Sequence, residues 1–470
     1  MKICLIFTPN QLNPNFRELA FRDDNIGFVP PLSLLTVAAI LEQENVTVAL
    51  IDMEAEQLSY TDTLERIRQF APDMLGFTLT TTSFRPVLEW INRFKNGTSI
   101  PVLVGGDHVR LFPQETMSHD AIDYCIVGEA ELPLPEFVRA WKAGKPLEGI
   151  KSLGYKSNGR VIVDRTVQTV ADIDSIPFPA RHLIKNELYE NILANRKNFT
   201  AMMSARGCPF NCAFCNANHQ KYRARTPRNF VDEIEFNLSR HGIHYFDIYD
   251  STFTTDRERV FAICEEIIRR KLDVSFSVRS RVDVVSREMI RVLKSAGCHA
   301  IMYGIESSNQ EILRTMNKGI LPQQVMETVS FTKQCGIETL GFFMFGFPGE
   351  TRRTMEDTIR FALELPLDYA QFTTLLPFPE TEIYTYYMEH GLEDYWSTYT
   401  LDPSKDRLIE LIGTEVTRQE ASAFVSRAYK EFYFRSRIIL NRLKRLSSLK
   451  ELKKLFGGAV GILAGSRKFR

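Results

Sequence analysis

The sequence predicts an α/β protein: a doubly wound parallel sheet, then a partial (β/α)6 barrel, then a helical segment. Three observations carry this. Short apolar runs alternate with longer stretches of helical apolar period, the pattern of parallel strands joined by crossover helices. The alternation occurs twice, with five strand–helix units and then six strands, separated by a stretch without it. At 470 residues the chain also exceeds one ordinary domain. The expected boundaries are 1–145 for the sheet, 146–197 for a linker, 198–392 for the barrel and 393–470 for the helical segment.

In the first domain "KICLIF" precedes the helical "PLSLLTVAAILEQEN", and "VTVALIDM" precedes "TDTLERIRQFA". "MLGFTLT" then leads to "FRPVLEWINRFKNG", "PVLVGG" to "LFPQETMSH", and "DYCIVG" to "LPEFVRAWKAG". Such sheets bind ligands at the carboxyl ends of their strands. The residues expected there are Thr8, Thr80, Thr81, Gly105, Gly106, His108, Gly128 and Glu129. Glycine lets a ligand approach the backbone, and hydroxyls supply hydrogen bonds. Any one of these loops would pass as an ordinary turn; their convergence on one edge points to a ligand site. There is no Gly-x-Gly-x-x-Gly after the first strand and no Gly-Lys-Ser/Thr loop, so a dinucleotide or nucleoside triphosphate is disfavoured. The linker holds "SLGYKSNGRVIVDR", a hairpin with Asn158-Gly159 at its turn.

The barrel strands are "FTAMMSA", "YFDIYDSTF", "VSFSVRS", "AIMYGIESS", "ETLGFFMFGF" and "YAQFTTLL", with helical patterns between them. The first runs into "RGCPFNCAFC", so Cys208, Cys212 and Cys215 lie at a strand's carboxyl end, where barrels gather their active sites. Three thiolates can ligate three corners of a cubane iron–sulfur cluster and leave the fourth iron open. His219 makes a rival Cys3His zinc site of the same stretch.

Composition excludes several classes. The chain is 44% hydrophobic and 25% charged, with 58 basic and 58 acidic residues, so no nucleic acid partner is expected. Cys4, Cys125, Cys264, Cys298 and Cys335 read as reduced, mostly buried thiols. "MKICLIFTPN" reads as a first strand and not a signal peptide, and no apolar run approaches the roughly 18 residues of a membrane span. A cytoplasmic location is expected.

Residues 198 to about 390 resemble radical S-adenosylmethionine enzymes. The resemblance rests on the Cys-x3-Cys-x2-Cys loop with Phe214 before its last cysteine, then "DSTFT", "RSRVD", "YGIESSNQEILRTMNKG", "FFMFGFPGET" and "LPFPETEIY" in order. Residues 1–145 resemble the cobalamin-binding domains that precede such enzymes, on "PPLSLLTVAAIL", "VGGDH" and "YCIVGEAE". Together these imply a Rossmann-like cobalamin domain before a TIM-like barrel, as in the group of class B methyltransferases and anaerobic cyclases.

The implied cofactors are a [4Fe-4S] cluster on Cys208, Cys212 and Cys215, S-adenosylmethionine on its open iron, and cobalamin at the edge residues named above. Asp250 and Glu306 are expected at the methionine ammonium, Arg281 at a carboxylate, and Gly346 and Pro348 at the adenine. One departure stands out. Cobalamin mutases carry Asp-x-His-x-x-Gly after the first strand, whereas "TPNQLNPNFRE" holds no histidine, and His108 is the other candidate for contact.

The implied reaction is methylation of an unactivated carbon on a small-molecule or lipid-like substrate, with an external electron donor such as flavodoxin or ferredoxin. A radical cyclase or ring-rearranging enzyme is the first alternative, and a non-catalytic corrinoid and iron–sulfur sensor or carrier the second. From Arg435 onward, eleven Lys or Arg stand against Glu451 alone, with Ile438, Ile439, Leu443 and Leu446 at helical spacing. Two readings stay open for this tail: peripheral contact with the inner membrane face, or a solvated end helix.

Overall fold

A computed structural model describes residues 1–9, 28–191, 193–217, 220–405 and 407–444, the last four by backbone only. They form two compact units. One holds the residues up to Tyr189 together with Glu393–Arg407, the other Glu190–Leu392 and the residues from Leu408 onward.

The first unit is built on a seven-stranded sheet: β1 (Lys2–Phe7), β2 (Thr47–Asp52), β3 (Met74–Thr78), β4 (Val102–Gly105), β5 (Tyr124–Ile126), β6 (Leu153–Ser157) and β7 (Arg160–Val163). The spatial order is β2-β1-β3-β4-β5-β6-β7. The first five strands are parallel, and their near-continuous apolar runs are buried on both faces, as crossover helices require. Because the chain leaves β1 for β2 on one side and joins β3 on the other, the order reverses between β1 and β3, the kind of switch point at which such sheets bind ligands.

The stretch expected as a linker is part of this sheet. β6 and β7 extend it antiparallel through a turn in which Asn158 and Gly159 both have positive φ, the two-residue hairpin geometry. The boundary expected at residue 393 is also corrected. The helix Tyr395–Leu401 belongs to the first unit because Trp396, Tyr399 and Thr400 are completely buried there, and such side chains stay where they lose water contact.

The second unit carries β8 (Phe199–Met202), the ribbon strands β9 (Ala205–Arg206) and β10 (Arg223–Ala224), then β11 (Tyr245–Ile248), β12 (Ser275–Ser280), β13 (Cys298–Glu306), β14 (Glu338–Phe345) and β15 (Tyr369–Thr374). Six of these make a parallel sheet in the order β15-β14-β13-β12-β11-β8. Among the described residues β8 and β15 are its two edges, so the barrel is partial.

Alternation along each strand sends Phe246, Ile248, Phe276, Val278, Ile301, Tyr303, Ile305, Phe343 and Phe345 into the helix-packed core. The other face keeps Asp247, Ser277 and Arg279, joined by hydrogen bonds of 2.9 Å. Helix starts are capped as their sequences dictate: Thr226 ahead of Pro227, Asp256, Ser286, and the Thr417–Glu420 capping box. The last of these begins Arg418–Tyr433. Its Tyr433 and Tyr429 hydroxyls accept the Ala370 and Phe372 N–H groups, so the edge strand β15 is covered.

Among the described residues, no helix is long and apolar enough to cross a membrane. Ile438, expected on a membrane-facing stripe, is buried in the barrel core, while Ile439 and Leu440 are exposed. Side chains from residue 441 on, Leu443 and Leu446 among them, lie outside the described residues.

Candidate active site

β9 and β10 pair antiparallel and bracket the loop 207–222, so the three cysteines sit on a closed excursion at the carboxyl end of β8. Gly207 starts that loop at φ +77°. A Cβ there would lie 2.4 Å from the Gln220 carbonyl oxygen, so glycine is obligatory for the closure. The loop is pinned from outside. Ala213 N–H donates to the Met316 carbonyl at 2.9 Å, and its own carbonyl accepts Ile383 N–H at 2.9 Å. Asn317 Nδ2 donates to the Asn211 carbonyl at 2.7 Å. Cys212 is buried, whereas Cys208 and Cys215 are half-buried. Burial pushes the Cys212 and Cys215 thiols up, and the nearby Lys318 charge opposes it at both.

Two buried cations stand behind the thiols. Arg281 Nη1 donates to Cys212 Sγ at 3.4 Å, and its guanidinium lies 4.2 Å from the centre of the Phe210 ring. Lys318 Nζ is 2.9 Å from Glu306 Oε1 and 5.8 Å from the centre of the Phe214 ring. Both members of that pair are under 10% exposed. Gly304 makes room for it, since a Cβ there would lie 2.6 Å from Lys318 Nζ.

The structure gathers Cys208, Cys212, Cys215, Arg281 and Glu306 as expected, but it redirects two of the residues expected at S-adenosylmethionine. Asp250 is completely enclosed. Its Oδ1 accepts the Ser204 and Ala205 N–H groups at 2.6 and 3.0 Å, and its Oδ2 accepts the Ser204 hydroxyl. With both oxygens taken and 1% exposure it anchors the strand entering the cysteine loop, and it offers nothing to an ammonium group. Arg281 is likewise committed. Nε and Nη2 grip Asp283 at 3.0 and 2.8 Å, Nη2 also donates to the Lys318 carbonyl, and Nη1 faces Cys212.

Gly346, at φ +92°, would bring a Cβ within 2.7 Å of Leu411, and a Cβ on Gly413 would lie 3.1 Å from Pro348. The segment from Leu408 therefore occupies one side of the turn assigned to adenine. That turn is tied by Glu350, whose Oε2 accepts the Gly346 and Phe347 N–H groups at 2.5 and 3.1 Å. Burial lifts the Glu350 carboxyl to about 7. Sequence reasoning missed Lys318, Asp283 and Glu350. The signal for Lys318 was its place before Gly319, at the end of the motif that begins with Glu306.

In the first unit, Thr8, Thr80–Thr81, Gly105–Gly106 and Gly128–Glu129 end the four neighbouring strands β1, β3, β4 and β5, so they share one sheet edge. Thr80 is exposed, and a Cβ on Gly105 would meet nothing within 4 Å. Gly106, at φ +109°, packs on the Leu79 carbonyl, and Gly128 on Val167. Glu129 Oε2 accepts Val170 N–H at 3.3 Å.

His108 is corrected: it is fully buried and cannot meet a ligand at the edge. Its ring stacks on Phe84 at 4.1 Å, Nδ1 lies 3.4 Å from Thr81 Oγ1, and Nε2 lies 3.3 Å from Thr400 Oγ1. Burial pulls its pKa down to about 3. The first-strand loop from Asn10 onward lies outside the described residues.

Among the described residues no three His, Cys, Asp or Glu side chains converge on one ion, whereas thiolates holding separate corners of a cubane need not converge. His219, the rival zinc donor, lies outside the described residues. Three soft thiol donors on one clamped loop, with the Arg281 Nη1 group donating to one of them, suit a thiolate-ligated cluster, so the residues fit the group.

Residues 202–362 match the radical SAM superfamily and residues 26–138 match the B12 binding domain. An uncharacterized methyltransferase of Pyrococcus horikoshii is 34% identical over 419 residues, which is 87% of this chain and 89% of that protein. The chain belongs to the radical SAM superfamily. An anaerobic magnesium-protoporphyrin IX monomethyl ester cyclase of Cereibacter sphaeroides is 29% identical over 87% of this chain and 68% of its own length. Among solved structures, a radical S-adenosylmethionine methyltransferase of Kitasatospora setae, determined with cobalamin and a [4Fe-4S] cluster, is similar at a TM-score of 0.66. That likeness spans 83% of this chain and 75% of that one at 21% identity, and it shows the shared fold. As a radical SAM enzyme with a B12 binding domain, the protein takes a [4Fe-4S] cluster, S-adenosylmethionine and cobalamin.

Proposed function

We propose that this radical SAM enzyme methylates an unactivated carbon of a small-molecule or lipid-like substrate. The observation that carries the reading is the clamped loop with three free thiols, two of them half-buried, in a chain that also has a B12 binding domain. When bound, the cluster and S-adenosylmethionine supply reductive cleavage of a sulfonium bond, and cobalamin supplies a transferable methyl group.

The chain's own residues do the rest. Cys208, Cys212 and Cys215 would hold the cluster, and three thiolates would leave it a position for S-adenosylmethionine. Met316, Asn317 and Ile383 fix the loop so that the thiols keep their spacing. The Glu306–Lys318 pair sets one carboxylate and one ammonium beside the cysteines, the complementary groups for the charged methionine end of the cosubstrate. Glu350 holds the turn that carries Gly346 and Pro348. In the first unit, Thr80, Gly105 and the other strand-end residues offer the cobalamin edge, and His108 braces it from inside. With His108 buried, and no histidine in "TPNQLNPNFRE", neither candidate supplies an imidazole to cobalt.

The cyclase relative favours a second reading, radical ring closure without methyl transfer. Assays with methyl-deuterated S-adenosylmethionine separate the two: label on the product supports transfer, and an unlabelled product with a new ring supports closure. The underlying chemistry is tested on oxygen-free protein by its iron, sulfide and zinc content and its formation of 5′-deoxyadenosine. Equal iron and sulfide are expected, and Cys215→Ala should lose both the cluster and the cleavage. Zinc in place of iron would overturn the reading.

A further inference from the structure

The buried guanidinium of Arg281 has one donor left over after its structural duties. Nε and Nη2 form a two-point pair with Asp283 at 3.0 and 2.8 Å, Nη2 also donates to the Lys318 carbonyl, and the Phe210 ring covers one face. This arrangement allows little rotation. Nη1 therefore points at Cys212 Sγ at 3.4 Å because the rest of the side chain is held, and not because the sulfur attracts a mobile arm.

The other cation near the thiols, Lys318, is neutralised by Glu306 at 2.9 Å, just as Arg281 is neutralised by Asp283. Each buried charge thus carries its own counter-charge, and the net positive field at the loop is small. What remains directed at a ligand sulfur is one oriented N–H. A thiolate sulfur accepts such a bond more strongly as its negative charge grows, and hydrogen bonds to cluster sulfurs are among the factors that set cluster potentials.

We infer that Arg281, held by Asp283, is a positioning residue that tunes the cluster by donating a hydrogen bond to the Cys212 ligand and so makes it easier to reduce. The inference rests on the iron–sulfur reading above. The step is the transfer of one electron from a low-potential one-electron donor to the cluster. The donor is oxidised by one electron, the cluster is reduced by one, and no bond to the protein forms or breaks. The added negative charge is shared by the thiolates, and Nη1 opposes it at Cys212.

Anaerobically reconstituted full-length protein, titrated with dithionite through redox mediators and read by the cluster's absorbance and its spin resonance, tests this. In Arg281→Met the reduced-to-oxidised ratio at a fixed potential is expected to fall roughly tenfold, a downward shift of about 59 mV for one electron. Arg281→Lys keeps the positive charge but lacks the planar fork by which Asp283 aims Nη1, so its midpoint is expected to fall as well. An unchanged or higher midpoint in Arg281→Met, at unchanged iron content, overturns the inference. If Arg281→Met does not retain its iron, Arg281→Lys decides: a midpoint at or above that of the unaltered protein overturns the inference. A different failure, no iron–sulfur cluster in the unaltered protein, sinks the proposed function itself.

Discussion

The two units bury polar groups near their strand edges by different means. In the first, His108 is kept neutral and sealed with aromatic rings, and its lid is a helix some 290 residues further along the chain, with Thr400 at 3.3 Å and a separation of 292. In the second, three buried groups around the cysteine loop are held by partners within the same unit: Asp250 by Ser204 and Ala205, Lys318 by Glu306, Arg281 by Asp283. An aromatic seal excludes water and leaves little charge at the edge. Paired charges hold a loop rigid and keep donors aimed at a sulfur. The first suits a surface that cradles a large neutral ring system, the second a loop that must keep an anionic cluster.

The comparison breaks most sharply at Trp396. Trp396→Ala opens a cavity under the seal and should cost about 3–5 kcal/mol. Peptide-resolved hydrogen exchange on the full chain should show the loss in β3 and β4 and leave the cysteine loop protected. Equal loss in both units would mean that the seal is not confined to the first.

Asp250→Ala is the converse test. It strands the Ser204 and Ala205 N–H groups and the Ser204 hydroxyl, a loss of about 3 kcal/mol. Iron retained after reconstitution should fall, while exchange in the first unit stays as it was. Retained iron with normal exchange around residues 204–215 would remove the anchoring role.

A smaller effect sharpens the contrast through pH. The His108 pKa is depressed to about 3, below the usual value near 6.5, so the unfolded chain takes up the proton first and acid costs stability. That contribution is full above about pH 6.5 and is lost as pH falls, about 2 kcal/mol between pH 7 and 5. Glu350 has the opposite sign. Its carboxyl is raised to about 7, so its contribution is full below the ordinary carboxyl range near 4.5 and is lost as pH rises towards 7, again about 2 kcal/mol. Opening energies measured by exchange at pH 5 and 7 should therefore slope in opposite directions in the two units. His108→Leu should flatten the first slope and Glu350→Gln the second. Parallel slopes in the unaltered protein would discard the contrast.

Much of this was legible in the amino-acid order. The alternation of apolar runs located all five parallel strands of the first sheet and all six of the barrel, because the first are apolar on both faces and the second keep an apolar face against their helices. The spacing of Cys208, Cys212 and Cys215 put three donors on one loop, because neighbours in sequence share a loop whatever the tertiary fold.

What the order left open were the partners of the charged and polar residues. That Asp250 faces Ser204, 46 residues away, that Arg281 reaches Cys212 across 69, and that His108 lies beneath Thr400 follow from how strands and helices pack. A side chain's type limits the bonds it can make, but only the assembled structure decides which of them water no longer satisfies.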